Sequence, residues 1–239
     1  MHQPVWKLPL YSTIRHRCAG TKAAAEDLIT KGVVSGIFLS NTTYMFHKTA
    51  ILIDGGFFVR RFKELYSHTP KIKDVQPFLD NTLDKVQKTT EVGKDVLFRT
   101  FYYDCQPYGE IQKDPNGRII DFSSLPRYKA ASLFQKELKM FPQMAIRFGE
   151  LSFNGWKVNP GSNKYIPDFK QKSVDIKMGL DIAWLATKKV VDKLVIVAGD
   201  SDFITPMKFA RKEGLLIYLD CMKQSQIKLS LKEHADFLL

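Results

Sequence analysis

Leu194-Val-Ile-Val-Ala-Gly-Asp-Ser-Asp-Phe203 is the stretch that decides the fold. Leu194 to Val197 is a short, β-branched apolar run of the kind that forms a buried strand. It stops at two small residues, Ala198 and Gly199, and then at two acids in alternate positions, Asp200 and Asp202. Ile204 to Lys212 reads as the following helix, with Pro206 tolerated in its first turn. Open α/β sheets place ligands at the carboxyl ends of their strands. Two carboxylates there repel each other unless a cation or helix amides offset the charge. Capping of the next helix accounts for one of the pair. It does not account for both, so a metal site is the sharper expectation.

Around that stretch the chain is basic. It has 239 residues, 36 Lys plus Arg against 25 Asp plus Glu, a formal charge of +11 and 44% hydrophobic residues. That hydrophobic content supports a sizeable core. The positive balance suggests a polyanionic partner, although a solvated basic surface gives the same count. No apolar run approaches the roughly 20 residues that span a bilayer, so no membrane partner is expected. Cys18, Cys105 and Cys221 are scattered without CxxC or Cys/His spacing, which argues against a disulfide framework or a zinc site and fits a reducing cytoplasm.

Residues 1–45 lack sustained periodicity and read as an N-terminal extension, loosely attached or an upstream translation artefact, with Met45 as the alternative start. A measured intact mass that included Met1 would refute the artefact reading. Residues 46–239 read as the domain proper. Ala50 to Ile53 predicts a second buried strand, closed by Asp54 and Gly55-Gly56. Helices are predicted from Phe58 towards Tyr66 and over Val75 to Lys88. Val96 to Tyr103 predicts a strand closed by Asp104. Pro107 to Pro126 reads as a loop-rich insertion with a turn at Asp114-Pro-Asn-Gly117. A helix from Arg127 to Met140 and a strand from Met144 to Phe153 follow, then an irregular stretch from Gly155 to Asp168. Lys172 to Ala186 predicts the clearest helix, with Ile176, Leu180, Ala183, Thr187 and Val190 facing the sheet. Leu215 to Leu219 predicts a last strand, closed by Asp220. Strands alternating with helices give an α/β fold with a mainly parallel central sheet.

Asp54, Asp104, Asp200 and Asp220 thus close apolar strands and are expected at one sheet edge. Asp175 and Asp181 lie on the best helix, about 120° apart around it. They reach one site only if Asp175 sits in the first turn. An ion pair of Asp181 with a nearby lysine is the plainer alternative. Oxygen ligands select Mg²⁺ or Mn²⁺ rather than zinc. Such a cluster on a basic protein suits phosphodiester hydrolysis, and no GxSxG, Walker A loop or GxGxxG competes with it.

Ile53-Asp-Gly-Gly56, Ser173-Val-Asp-Ile-Lys-Met-Gly-Leu-Asp181 and Ala198-Gly-Asp-Ser-Asp-Phe203 resemble the three signature blocks of the NYN domain, within the PIN-like metal-dependent ribonucleases. The match looks nearest to the LabA-like branch and runs from about Lys48 to the C-terminus. The resemblance implies a PIN-like three-layer sandwich around a Mg²⁺ or Mn²⁺ pocket. By matching, Asp54, Asp175, Asp181, Asp200 and Asp202 are its metal-binding acids, with Asp54, Asp175 and Asp200 catalytic. Asp202 has a structural reading as well. Two positions depart from the pattern: Phe57 stands where many members carry Asn, and Ala198 where Ser or Thr is common.

Substrate contacts are then expected from Arg60 and Arg61 as phosphate clamps, from Lys172 and Lys177 beside the helix acids, and from Tyr102, Tyr103 and Tyr108 as stacking surfaces for an unpaired base. A solvated helix face is the plain reading of the arginines, and core packing that of Tyr102 or Tyr103. The function expected is an endoribonuclease acting on single-stranded or structured RNA, leaving a 5′-phosphate and a 3′-hydroxyl. The alternative is a non-catalytic PIN-like module that binds RNA or protein. A homodimer stays open.

Overall fold

A computed structural model describes residues 45–239. The extension expected over residues 1–45 therefore lies, but for Met45, outside the described residues. Among the described residues, nine strands and six helices follow in order: β1 Phe46–Asp54, α1 Gly55–Tyr66, α2 Ile72–Lys88, β2 Lys94–Cys105, β3 Ile111–Lys113, β4 Ile119–Asp121, α3 Pro126–Lys139, β5 Met144–Asn159, β6 Lys164–Lys172, α4 Val174–Lys188, β7 Lys193–Val197, α5 Ile204–Lys212, β8 Leu216–Asp220, α6 Leu229–Lys232 and β9 Phe237–Leu238. Short 3-10 turns lie at Phe122–Ser124 and Ser201–Phe203.

Seven strands form one sheet in the order β6-β5-β2-β1-β7-β8-β9, and only the β5–β6 pairing is antiparallel. The central strands are buried on both faces: Ala50 to Ile53 and all of β7 are closed to solvent. Parallel strands need such double cover. Neighbouring residues of β2 show what supplies it, because strand side chains alternate between faces. Tyr102 packs edge-on against Phe58 of α1 and Phe134 of α3. Tyr103 points the other way and donates to Asp181 of α4. The α1–α3 layer and the α4–α5 layer thus enclose the sheet as the expected three-layer sandwich.

Two expectations need correction. The buried face of α4 carries Val174, Met178, Ile182, Leu185 and Ala186, whereas Ile176 and Leu180 are 66% and 64% exposed. The helix is apolar on two sides, and both stripes satisfy helical spacing. The stretch from Gly155 to Asp168 is not irregular: β5 and β6 form a long hairpin through it, with a register shift between Phe153 and Trp156 around Gly155 (φ +95°). The insertion before α3 also contains a small hairpin, β3–β4. The two hairpins are joined by an aromatic cluster in which Phe122 meets Phe153, Trp156 and Phe169.

Candidate active site

The strands β1, β2, β7 and β8 run parallel, so their closing acids reach one sheet edge. Each strand hands over differently. Asp54 passes β1 straight into α1 and caps it, its Oδ1 accepting from Phe57 N at 3.1 Å. The turn is tight because Gly55 is pressed onto β2. A Cβ there would lie 2.7 Å from the Tyr102 ring and 2.8 Å from the Tyr103 carbonyl oxygen. Asp200 caps the 3-10 turn after β7 by accepting from Asp202 N at 3.0 Å. Gly199 is pressed in the same way, a Cβ there falling 2.6 Å from the Phe57 ring. Phe57 is therefore an interior wedge between the first and last acid blocks, 3% exposed. An Asn side chain in that place would leave polar atoms to satisfy.

Asp175 occupies the first turn of α4, after Ser173 in the left-handed region at φ +67°. A non-glycine residue held there is a costly conformation, and it sets the helix start against the sheet edge.

These carboxylates sense one another. Burial pushes Asp54 up to about 6; the Phe57 N–H opposes this, and Asp175 and Asp104 add to it by like-charge repulsion. Asp175 is raised by partial loss of water, then by Asp200 and Asp202. Asp104 is raised by burial, against hydrogen bonds from Cys105 N, Gln135 and Tyr102. Asp54, Asp104, Asp175, Asp200 and Asp202 therefore form one electrostatically connected edge.

The other expected residues have the following partners. Asp181 accepts from the Tyr103 hydroxyl at 2.8 Å and from Arg147 Nε at 3.1 Å, and it is not among the groups that raise Asp54 or Asp175. Asp220 does not join the edge cluster: it is 2% exposed, accepts from Met222 N at 2.7 Å and lies 3.7 Å from Lys85 Nζ. Arg61 is tied down by Glu64 and by the Met222 carbonyl oxygen at 2.9 Å, while Arg60 is exposed over the Phe57 ring. Lys177 donates to the Phe148 carbonyl oxygen, and Lys172 is exposed at the end of β6. The Tyr108 ring is enclosed by Phe122, Phe153 and Phe169.

Sequence reasoning passed over three neighbours of the site. Asp104 was visible as a strand-closing acid but was not placed among the ligands. Gln135 fastens it from α3, and Gln171 of β6 lies over Gly56 beside Asp54. Nothing in the local pattern of a lone glutamine marks either one.

The donor set is wholly carboxylate oxygen, which suits a hard divalent cation; burial is the main cause of the upward shift of Asp54, and a cation would offset the smaller like-charge repulsion from Asp175 and Asp104. Among the described residues, no three His, Cys, Asp or Glu side chains close on one point as a metal-holding group. Asp175, Asp200 and Asp202 are exposed, and Asp200 keeps one carboxylate oxygen beyond its cap, so closure requires side-chain movement rather than a change of backbone. Asp54, Asp175 and Asp200 would be the first ligands by that route.

Comparison with known proteins agrees with the motifs. A family model described as the NYN domain matches residues 48–238, so the chain belongs to the NYN domain family. That family is generally nuclease-like, and PIN-like nucleases typically use divalent metals. No curated protein matches. Among solved structures the chain is similar to a protein of unknown function from Vibrio parahaemolyticus, with 16% identity over 81% of this chain and 91% of that one and a TM-score of 0.47. No helix among the described residues is long and apolar enough to cross a membrane.

Proposed function

We propose that this NYN-domain chain is a metal-dependent endoribonuclease whose acids at the strand edge hydrolyse RNA phosphodiester bonds, most closely in the manner of the LabA-like branch and in the cytoplasm. The observation that carries the reading is that Asp54 and Asp200 follow the paired parallel strands β1 and β7 and Asp175 stands in the first turn of α4, with like-charge repulsion linking Asp175 to Asp54, Asp200 and Asp202, on an otherwise basic protein. Carboxylates brought together at such a cost are characteristic of functional sites.

A Mg²⁺ or Mn²⁺ held by Asp54, Asp175 and Asp200 would neutralise charge on the scissile phosphate and acidify water. The chain's own residues do the remaining work. Asp54 or Asp200 accepts a hydrogen bond from the attacking water and orients its oxygen in line with phosphorus. The P–O3′ bond breaks, the 3′ oxygen leaves as a hydroxyl, and the new 5′ end keeps the phosphate. Products ending in a 2′,3′-cyclic phosphate would refute this course. Arg60 and Lys172, both exposed, would steer the phosphate backbone.

A second reading, a non-catalytic RNA- or protein-binding module, is favoured by the absence of a closed three-ligand group among the described residues. Cleavage of end-labelled single-stranded RNA in Mn²⁺, Mg²⁺ or EDTA, beside a folded Asp200→Asn variant, separates the two. Metal-dependent cleavage that the variant loses is the expected result. RNA bound but uncut supports the module.

A further inference from the structure

A cleft of about 620 Å³ opens between the start of α2 and the exposed side of α3, and its floor is shared with the acid edge. Asp104 and Tyr102 line it. Asp104 follows Tyr103, the register partner of Asp54 on the neighbouring strand β2, and the Tyr102 ring lies under Gly55, the residue after Asp54. Tyr102 is therefore shared between the cleft floor and the turn that follows Asp54. Its lining is mostly apolar, with Phe134, Ala131 and Val59 among the walls, and its volume lies within the range of small-molecule sites.

Three features select a ligand class. The first is Gln135, 5% exposed, at the floor. Its Nε2 donates to the Cys105 carbonyl oxygen at 2.9 Å and to Asp104 at 3.2 Å. Both partners are acceptors, so the amide orientation is fixed and Oε1 is left as an acceptor, unpartnered among the described residues. It is open to solvent, and the exocyclic amino group of a base can donate to it. The second is the rim, where Lys71, Lys73 and Arg127 are exposed around one acid, Glu137. Three cations suit a phosphate backbone passing over the opening. The third is continuity, because a chain whose phosphate lies at Asp54 brings its next unit to this mouth.

We propose that the cleft takes one unstacked, amine-bearing base of single-stranded RNA, with adenine as the probe. The proposal rests on the nuclease reading for its choice of RNA, and it gives that site a substrate preference: an unpaired base beside the scissile phosphate. A duplex cannot supply one without base flipping.

The test is a short single-stranded RNA carrying one 8-azidoadenosine, bound in EDTA, irradiated and mapped by mass spectrometry. Adducts are expected in residues 69–73 or 126–137. Ala131→Trp and Ala130→Trp, each filling the cleft from α3, should cut adduct yield by about tenfold. Adducts only elsewhere, no adduct, or yields unchanged in both folded variants overturn the proposal. Cleavage of the unmodified RNA in Mn²⁺ is scored separately. Cleavage without cleft adducts removes the base site and leaves the nuclease standing. Cleft adducts without cleavage keep the base site and remove hydrolysis.

Discussion

Asp54 carries two duties that pull in opposite directions. Its side chain caps α1, which any of Asp, Asn or Ser does comparably well. Its charge costs stability, because folding raises its pKa from 3.8 to about 6. A carboxyl raised in the folded state favours folding most at low pH, and this contribution is lost as pH rises through about 4 to 6. Asp54→Asn keeps the cap and removes the charge. In EDTA at pH 7 the variant should be more stable than the wild type by about 1–3 kcal/mol, and at pH 4 the two should converge. Urea unfolding at both pH values checks this, and equal stability at pH 7 would mean that the carboxyl is not buried against its neighbours. Gly55 offers a contrast at the next position. With Tyr102 and the Tyr103 carbonyl both under 3.0 Å from a Cβ, Gly55→Ala should destabilise by about 1–3 kcal/mol at any pH.

The helix α4 shows what a pattern conveys and what it leaves open. Its existence and approximate extent were legible from the sequence, because an apolar run of that length admits little else, whereas the first-turn place of Asp175 was only a condition for its sharing a site with Asp181. The inward face of the helix was not legible. Ile176, Leu180, Ala183 and Thr187 repeat at helical spacing, but so do Val174, Met178, Ile182 and Leu185, and spacing cannot rank two apolar stripes. The sheet decides between them: Met178 and Ile182 are closed to solvent, while Ile176, Leu180 and Trp184 remain on the surface. Met178→Ala should therefore cost about 2–5 kcal/mol and Leu180→Ala less than about 0.5 kcal/mol, measured by denaturant midpoint. The reverse order would turn the helix over. Similar limits hid the β5–β6 hairpin, where Gly155 and Pro160 looked like punctuation although the register shift absorbs Gly155 without ending the pairing. Asp181 belongs here too, since its partner Arg147 is brought to it only by the pairing of β5 with β2.

At the scale of the whole molecule, a chain with formal charge +11 gathers repelling acids at one edge of its central sheet. On the proposed nuclease reading, the basic surface would attract a polyanion, while the edge would repel its phosphates until a cation intervenes. Strand-closing carboxylates made this contrast readable from the sequence. The neighbours that fasten them, such as Gln135, come from distant segments and were not readable. The contrast has a measurable consequence. In EDTA, an Asp54→Asn/Asp200→Asn protein should bind single-stranded RNA more tightly than the wild type by about 1 kcal/mol, roughly fivefold, because two like charges are removed from the phosphate path. Affinity of both proteins should fall with salt, with a slope of about −0.7 per phosphate engaged. With Mn²⁺ present the order should reverse, since only the wild type gains the cation that turns repulsion into attraction. Fluorescence anisotropy across a salt series reads all three effects. If the double variant bound more weakly in EDTA, the acids would be supporting a fold or a protein contact rather than facing RNA. The strand edge would then lose its claim to be the catalytic one.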